Sequence, residues 1–322
     1  MEKPFEGDLS NILSMVFTSD KIGKQTIDVS NIDFNLREAF EEFTLLLLNK
    51  FGKKIESIVV FGSAATGEWI RGKSDIDFII VTESNADNKE VENFANQALL
   101  IVDAKYNLKL RQTCSSFKRE HNIARDAVHT IESFMTFGKP FFVLSRDQID
   151  LEKGIIRNAR IRFVTSIFDS IAIFAAKIID TGSVIYGENL LSQLHVNRSP
   201  AEKVKAMLAP FWLVLMSFAI FPIDDKLALS HSVKATLWAC EDTLFFIDEK
   251  LASTETEVKK LKIILSDFGD IDLKHLESAL HTRRLLAAET KIEKSAIIRF
   301  LVKTPLFIIT LYRKIKSLKI AY

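Results

Sequence analysis

The chain is poor in the residues that break or staple a backbone. Its 322 residues include two cysteines, six prolines and eleven glycines. So little Gly and Pro speaks against a turn-rich β-sandwich and for long helices. Cys114 and Cys240 lie far apart with no C-x-x-C spacing. They form no disulfide or zinc framework, and both read as reduced thiols of a cytoplasmic protein. Charge of one sign is also lacking: 43 Lys and Arg stand against 42 Asp and Glu, for a net charge of +1. No global field drives the chain toward nucleic acid or membrane, so any steering must come from local clusters. The opening residues, Met1 to Glu6, carry no apolar run of the kind a secretory signal needs. There is no internal repeat and no low-complexity tract.

What is present is an ordinary soluble composition, 48% hydrophobic and 26% charged, in a chain long enough for two domains. Residues 1–34 read as a mixed lead-in. A helical pattern starts at Asn35, which could cap it, with Phe40, Phe43, Leu46 and Leu47 at three- and four-residue spacing, and stops at Gly52. Ile55–Phe61 is a short β-branched run that reads as a buried strand. Loop and short helix follow over 62–73, a second strand over Ile76–Val81, and a helix over Asn88–Ala104. Leu108–Gln112 reads as a third strand and Phe141–Leu144 as a fourth. This order describes a compact α/β (α+β) unit over residues 35–153. From 154 to 322 the texture is all-α, with apolar segments at helical spacing over 163–179, 201–221, 228–251, 256–268, 273–290 and 295–318.

The chemical signal lies at the end of the first strand and the start of the second. Val59-Val60-Phe61 delivers the chain to Gly62-Ser63. Gly62, without a Cβ, lets the backbone turn sharply and approach an anion, and Ser63 adds a hydroxyl beside exposed N–H groups. A helix opening at Ala64 would aim those groups at a phosphate. Then Ser74-Asp75-Ile76-Asp77 runs into Phe78-Ile79-Ile80-Val81. Side chains alternate along a strand, so Asp75 and Asp77 share one side while Ile76 points inward. Two adjacent carboxylates repel unless a cation sits between them. Hard oxygen ligands suit Mg²⁺ or Mn²⁺, with water and substrate phosphate in the remaining positions. Alone, Gly-Ser is a turn and Asp-x-Asp a solvated strand edge. Together they are the equipment of metal-assisted phosphoryl or nucleotidyl transfer.

The stretch from Gly62-Ser63 to Asp75-x-Asp77 resembles the signature of the polymerase-β-like nucleotidyltransferase superfamily, in the manner of its minimal nucleotidyltransferases. The resemblance covers about residues 35–145. It implies a small mixed sheet flanked by helices, an NTP donor, divalent ions held by Asp75 and Asp77, and a β- or γ-phosphate contact from Ser63. By position it brings Arg71, Lys73 and Ser74 near the nucleotide. Catalytic members place a third carboxylate on the next core strand, as metal ligand or general base. Here the candidate strand carries Lys109 and Arg111 instead, and Glu83, Asp103, Glu120 and Asp126 read as surface charges.

In the helical half, Asp180–Glu188 resembles a tail element that often follows this core. By resemblance the helices form one wall of the acceptor cleft or a homodimer interface. The six histidines show no metal-ligand spacing. Ala206–Ile223 has no charge until its end, which is the length of a membrane span, but its two prolines favour a buried core helix. After Glu293 no acidic residue occurs, while seven Lys and Arg do. That tail reads as a helix with a solvated basic face. Its alternatives are contact with RNA phosphates or with an anionic membrane surface.

The sequence thus supports a nucleotidyltransferase that moves a nucleoside monophosphate from a Mg-NTP to a hydroxyl-type acceptor, which could be a protein, an RNA end or a small molecule. The alternative is a nucleotide-binding regulator that lacks the third carboxylate and transfers weakly.

Overall fold

The computed structural model describes residues 27–72, 74–110, 141–150, 155–167, 170–266 and 272–321. A 3₁₀ turn at Phe34–Leu36 leads into α1 (Arg37–Phe51). Its cap is Asp33, whose carboxylate accepts the Asn35 N–H at 2.9 Å. The helical segment therefore begins one residue before the position at which Asn35 was expected to cap it. Gly52, at φ +54°, ends it.

Next come β1 (Ile55–Phe61), the one-turn α2 (Ser63–Thr66), β2 (Asp77–Thr82) and α3 (Asn88–Tyr106). After residue 140 follow β3 (Phe141–Ser145), a small hairpin of β4 (Ile149–Asp150) and β5 (Ile155–Ile156), α4 (Ala159–Ile167), α5 (Ile171–Thr181) and β6 (Ser183–Gly187). The rest is helical: α6 (Pro200–Ile220), α7 (Asp225–Phe246), α8 (Thr254–Leu265), α9 (Leu273–Ala287) and α10 (Lys294–Ala321).

The main sheet has the order β3-β2-β1-β6. β1 runs antiparallel to both β2 and β6, while β2 and β3 are parallel. Both faces are covered, which is why the strands are apolar at nearly every position. Ile58, Val60, Phe78 and Ile80 face α1 and α3, meeting Phe43, Leu47 and Ala95. Val59, Phe61, Ile79 and Val81 face the other way, onto Phe174 and Ile178 of α5.

The segment Leu108–Gln112 is not the third strand where it is described. Asn107 and Lys109 have positive φ, and the N–H groups of Leu108 and Leu110 turn back to Asp103. With two of its donors used on a helix end and two residues at positive φ, the segment does not run as an extended ladder strand; residues 111 and 112 lie outside the described part. The strand beside β2 is Phe141–Ser145, the fourth in the sequence reading.

The sheet also draws β6 and its covering helix α5 from beyond residue 153. α5 serves two cores at once. Phe174 and Ile178 pack on the sheet, while Ala172, Ile173 and Ala176 belong to the helical cluster around α7. The expected helix over 163–179 is accordingly two helices, separated before Ser170, whose hydroxyl caps α5 by accepting from Ala172 and Ile173. In the bundle, α7 is buried on most sides by α6, α8, α9 and α10.

Among the described residues, two helices, α6 and the Lys294–Lys316 part of α10, are long and apolar enough to cross a membrane. α6 is only half the buried core helix that its sequence suggests. Ala206, Ala209, Leu213, Val214 and Ile220 are buried, while its other side is exposed because α7 and α10 cover one side alone.

Candidate active site

The site grows from the end of β1. The sheet register places Phe61 opposite Asp77, so the first residue after β1 lies beside the first carboxylate of β2. Gly62 has φ +67°, and a Cβ built on it would stand 3.0 Å from Asp77 Oδ2. The backbone and the carboxylate thus approach more closely than any side chain at position 62 would comfortably allow. α2 is a single turn, closed by the N–H groups of Ala65 and Thr66 on the Gly62 carbonyl and by Gly67 in the left-handed region. Gly62 N–H donates to Thr181 Oγ1 at 3.3 Å, and that hydroxyl donates to the Lys177 carbonyl. The turn is therefore held by the end of α5.

Gly62, Ser63, Ser74, Asp75 and Asp77 line one cavity of about 670 Å³, a size ordinary for a small-molecule site. Ser74 also closes its own loop, its hydroxyl accepting the Ile70 N–H at 3.0 Å. Ile76 is buried between the two aspartates, as strand alternation requires. Arg71 is exposed and does not line the cavity. Lys73 lies outside the described residues, as do Cys114, Glu120 and Asp126.

The other wall comes from the helical half, which sequence reasoning did not resolve into residues. Lys177 of α5 and Lys234, Trp238 and Glu241 of α7 line the same cavity, with Glu257 of α8 and Arg283 of α9. Lys234 Nζ lies 3.8 Å from Asp75 Oδ2, and Lys177 Nζ lies 2.8 Å from Glu241 Oε1. A signal for these residues was legible. Lys234, Trp238 and Glu241 recur at helical spacing in a helix that also carries an apolar face, and charged groups on one side of such a helix need a reason.

Burial, reinforced by the Asp75 charge, pushes the Asp77 carboxyl up to about 7; Lys177 and Lys234 oppose this and Glu241 adds to it. Burial and the neighbouring Glu241 likewise push Glu257 up to about 8. Two aspartates crowded on a desolvated wall are a fit donor set for a small divalent cation, whose charge removes the cause of the raised pKa. Among the described residues, no group of three or more His, Cys, Asp or Glu side chains is arranged to hold a metal. The cation would therefore take its remaining ligands from water and phosphate.

The structure joins a mixed sheet to a Gly-Ser turn at the end of one strand and an Asp-x-Asp pair at the head of its neighbour, the arrangement expected of a nucleotidyltransferase core. Residues 43–132 match the family described as the nucleotidyltransferase domain. The match falls on β1 and β2 of the mixed sheet and their flanking helices, and a helical region follows. No curated protein matches it in sequence. Among solved structures, a spectinomycin adenyltransferase from Enterococcus faecialis, determined with ATP and spectinomycin, is similar over 87% of this chain and 98% of its own. The identity is 12% and the TM-score 0.47.

Proposed function

We propose that the protein transfers a nucleoside monophosphate from a Mg-NTP to a hydroxyl-type acceptor and releases pyrophosphate. The observation that carries this reading is the convergence of Gly62, Ser63, Asp75 and Asp77 with Lys177 and Lys234 on one cavity. Carboxylates for a cation and ammonium groups for a triphosphate stand within one ligand's reach. Asp75 and Asp77 hold the divalent ion, Mg²⁺ or Mn²⁺. When bound, that ion neutralises triphosphate charge and polarises the reacting phosphoryl group. Ser63 grips the β- or γ-phosphate; the Gly62 N–H expected to share that grip is committed to Thr181, so Gly62 contributes the sharp turn, with Ser74 shaping the loop beneath. On binding, Lys234 exchanges its partner Asp75 for phosphate oxygen. The acceptor hydroxyl oxygen bonds to the α-phosphorus as the bond from that phosphorus to the pyrophosphate oxygen breaks. The hydroxyl proton passes to a carboxylate. The core strand offers none, and Glu241, facing the cavity from α7, is the group we assign to receive it.

The test is incubation with each α-³²P-labelled NTP and Mg²⁺, with and without cell extract, beside an Asp75→Asn/Asp77→Asn control. Label transferred by the native chain alone supports the proposal, and the labelled species names the acceptor class. A second reading, a nucleotide-binding regulator, is favoured by the lack of a three-carboxylate metal group among the described residues. It expects Mg²⁺-dependent NTP binding with no pyrophosphate released.

A further inference from the structure

Exposed large apolar side chains are concentrated on two helices. Val204, Leu208, Trp212, Leu215 and Phe218 form a stripe along α6, and Ile298, Val302, Leu306 and Ile309 form another along α10, each residue between 40% and 62% exposed. The spacing of three and four residues puts each set on one side of its helix. Every exposed position of α6 carries an apolar residue, the reverse of what a water-facing helix surface requires.

The two stripes are neighbours. Phe211 and Tyr312, at their margins, meet ring to ring at 6.1 Å, and Lys294 lies over the Phe221 ring at 5.6 Å. These two contacts run α6 and α10 antiparallel and side by side. They also set the charge. Lys294 stands at one end of the apolar face, and Arg313 and Lys316 stand at the other. From Lys294 to the last residue there are seven basic side chains and no acidic one.

We infer that this face lies on an anionic phospholipid surface, with the apolar centre inserted at the headgroup boundary and the cationic ends against lipid phosphate and carboxylate. A second copy of the chain is the rival occupant. Nine such side chains expose about 900 Å², near the roughly 800 Å² per partner of a standard interface. The charge decides against it. Along the exposed side of α10, Lys294, Arg299, Lys303, Arg313 and Lys316 outnumber the one acid flanking the helix start, Glu293, so parallel or antiparallel self-pairing sets a surplus of cation against cation, whereas anionic lipid answers it. The cavity opens among other residues, and none of the nine lines it, so this surface is separate from the nucleotide site.

The test is flotation of the full chain with phosphatidylcholine vesicles, made with and without phosphatidylserine. Binding should require phosphatidylserine and fall as salt rises. Leu215→Asp with Leu306→Asp should weaken it by roughly a hundredfold or more, since each inserted leucine contributes more than a tenfold factor. Arg313→Gln with Lys316→Gln should weaken it while leaving the apolar face intact. Both pairs sit on the surface, and an unchanged circular dichroism spectrum with unchanged Mg-NTP binding verifies the fold. Failure of the native chain to float, or undiminished flotation of the Asp pair, overturns the inference. So does a solution dimer that the Asp pair dissociates without any vesicle binding, which would give the face to a second copy.

Discussion

The Glu68 carboxylate accepts the backbone N–H of Thr254 at 3.0 Å, across 186 residues of sequence. It also accepts the N–H of Glu255 at 2.9 Å, and Arg283 of α9 lies beside it. Glu68 therefore caps the first turn of α8 while sitting just past the Gly62–Gly67 turn. One side chain ties that turn to the far wall of the cavity, at the positive end of a helix, where a carboxylate is stabilising.

Glu68→Ala should leave two helix N–H groups and the Arg283 guanidinium without their partner. We expect a loss of about 2 kcal/mol in unfolding free energy, together with a raised KM for the NTP. Urea denaturation and steady-state kinetics measure the two effects. A variant with native stability and native KM would deny Glu68 any role in joining the walls.

Gly62→Ala asks a residue with a Cβ to hold φ +67° with that Cβ 3.0 Å from Asp77 Oδ2. The backbone penalty alone is on the order of 1–2 kcal/mol, and Asp77 must shift. Metal-dependent NTP affinity should fall by about tenfold with the far-ultraviolet circular dichroism unchanged. Calorimetric titration of Mg-NTP gives the answer, and undiminished affinity would contradict the close approach.

Asp77→Asn separates function from stability. Because burial raises the Asp77 pKa to about 7, the unfolded chain gives up this proton more readily than the native one. The ligand-free fold thus loses stability as pH rises from about 4 toward 7. Asn removes that cost. With the carboxylate only partly shielded from cavity water, we expect a gain of about 2 kcal/mol at pH 7.5 without metal, and abolished transfer. A thermal shift downward in the metal-free variant would mean that the carboxylates are not in conflict.

Glu241→Gln should lower kcat by roughly 10²–10⁴-fold, the usual worth of a general base, with little change in the KM of the NTP. Loss of NTP binding instead of turnover would reassign Glu241 to positioning Lys177, its partner at 2.8 Å.

His275 offers a test in the bundle, away from the cavity. It is buried beside Phe300, with Thr304 Oγ1 at 3.2 Å and Thr236 Oγ1 at 3.4 Å. Burial pushes its pKa down to about 4. Between that value and the unfolded 6.5, the unfolded chain binds more protons. Stability should therefore fall by on the order of 3 kcal/mol as pH drops from 6.5 to 4, and be unaffected by this group above 6.5. The difference between the unfolding curves of the native chain and His275→Asn over that range isolates the effect; parallel curves would refute it.

Local pattern was enough for much of this molecule. The apolar run Ile55–Phe61, the Gly62-Ser63 turn and Asp75-x-Asp77 are contiguous, and their geometry follows from strand alternation and the freedom of glycine, so the sequence by itself determined the two core strands and the carboxylate pair. The helical half was legible for the same reason, since three- and four-residue spacing is a local property. Three things were decided only by tertiary structure. Ser183–Gly187 is an edge strand because β1 has an open side to pair with, which a short run of apolar residues between glycines does not announce. Leu108–Leu110 is not a strand because its donors turn back to Asp103. The second wall of the cavity, Lys177, Lys234 and Glu241, comes together because α5 packs on both the sheet and the bundle. Long-range packing decides which polar groups of separate helices face one another, and no local periodicity encodes that choice.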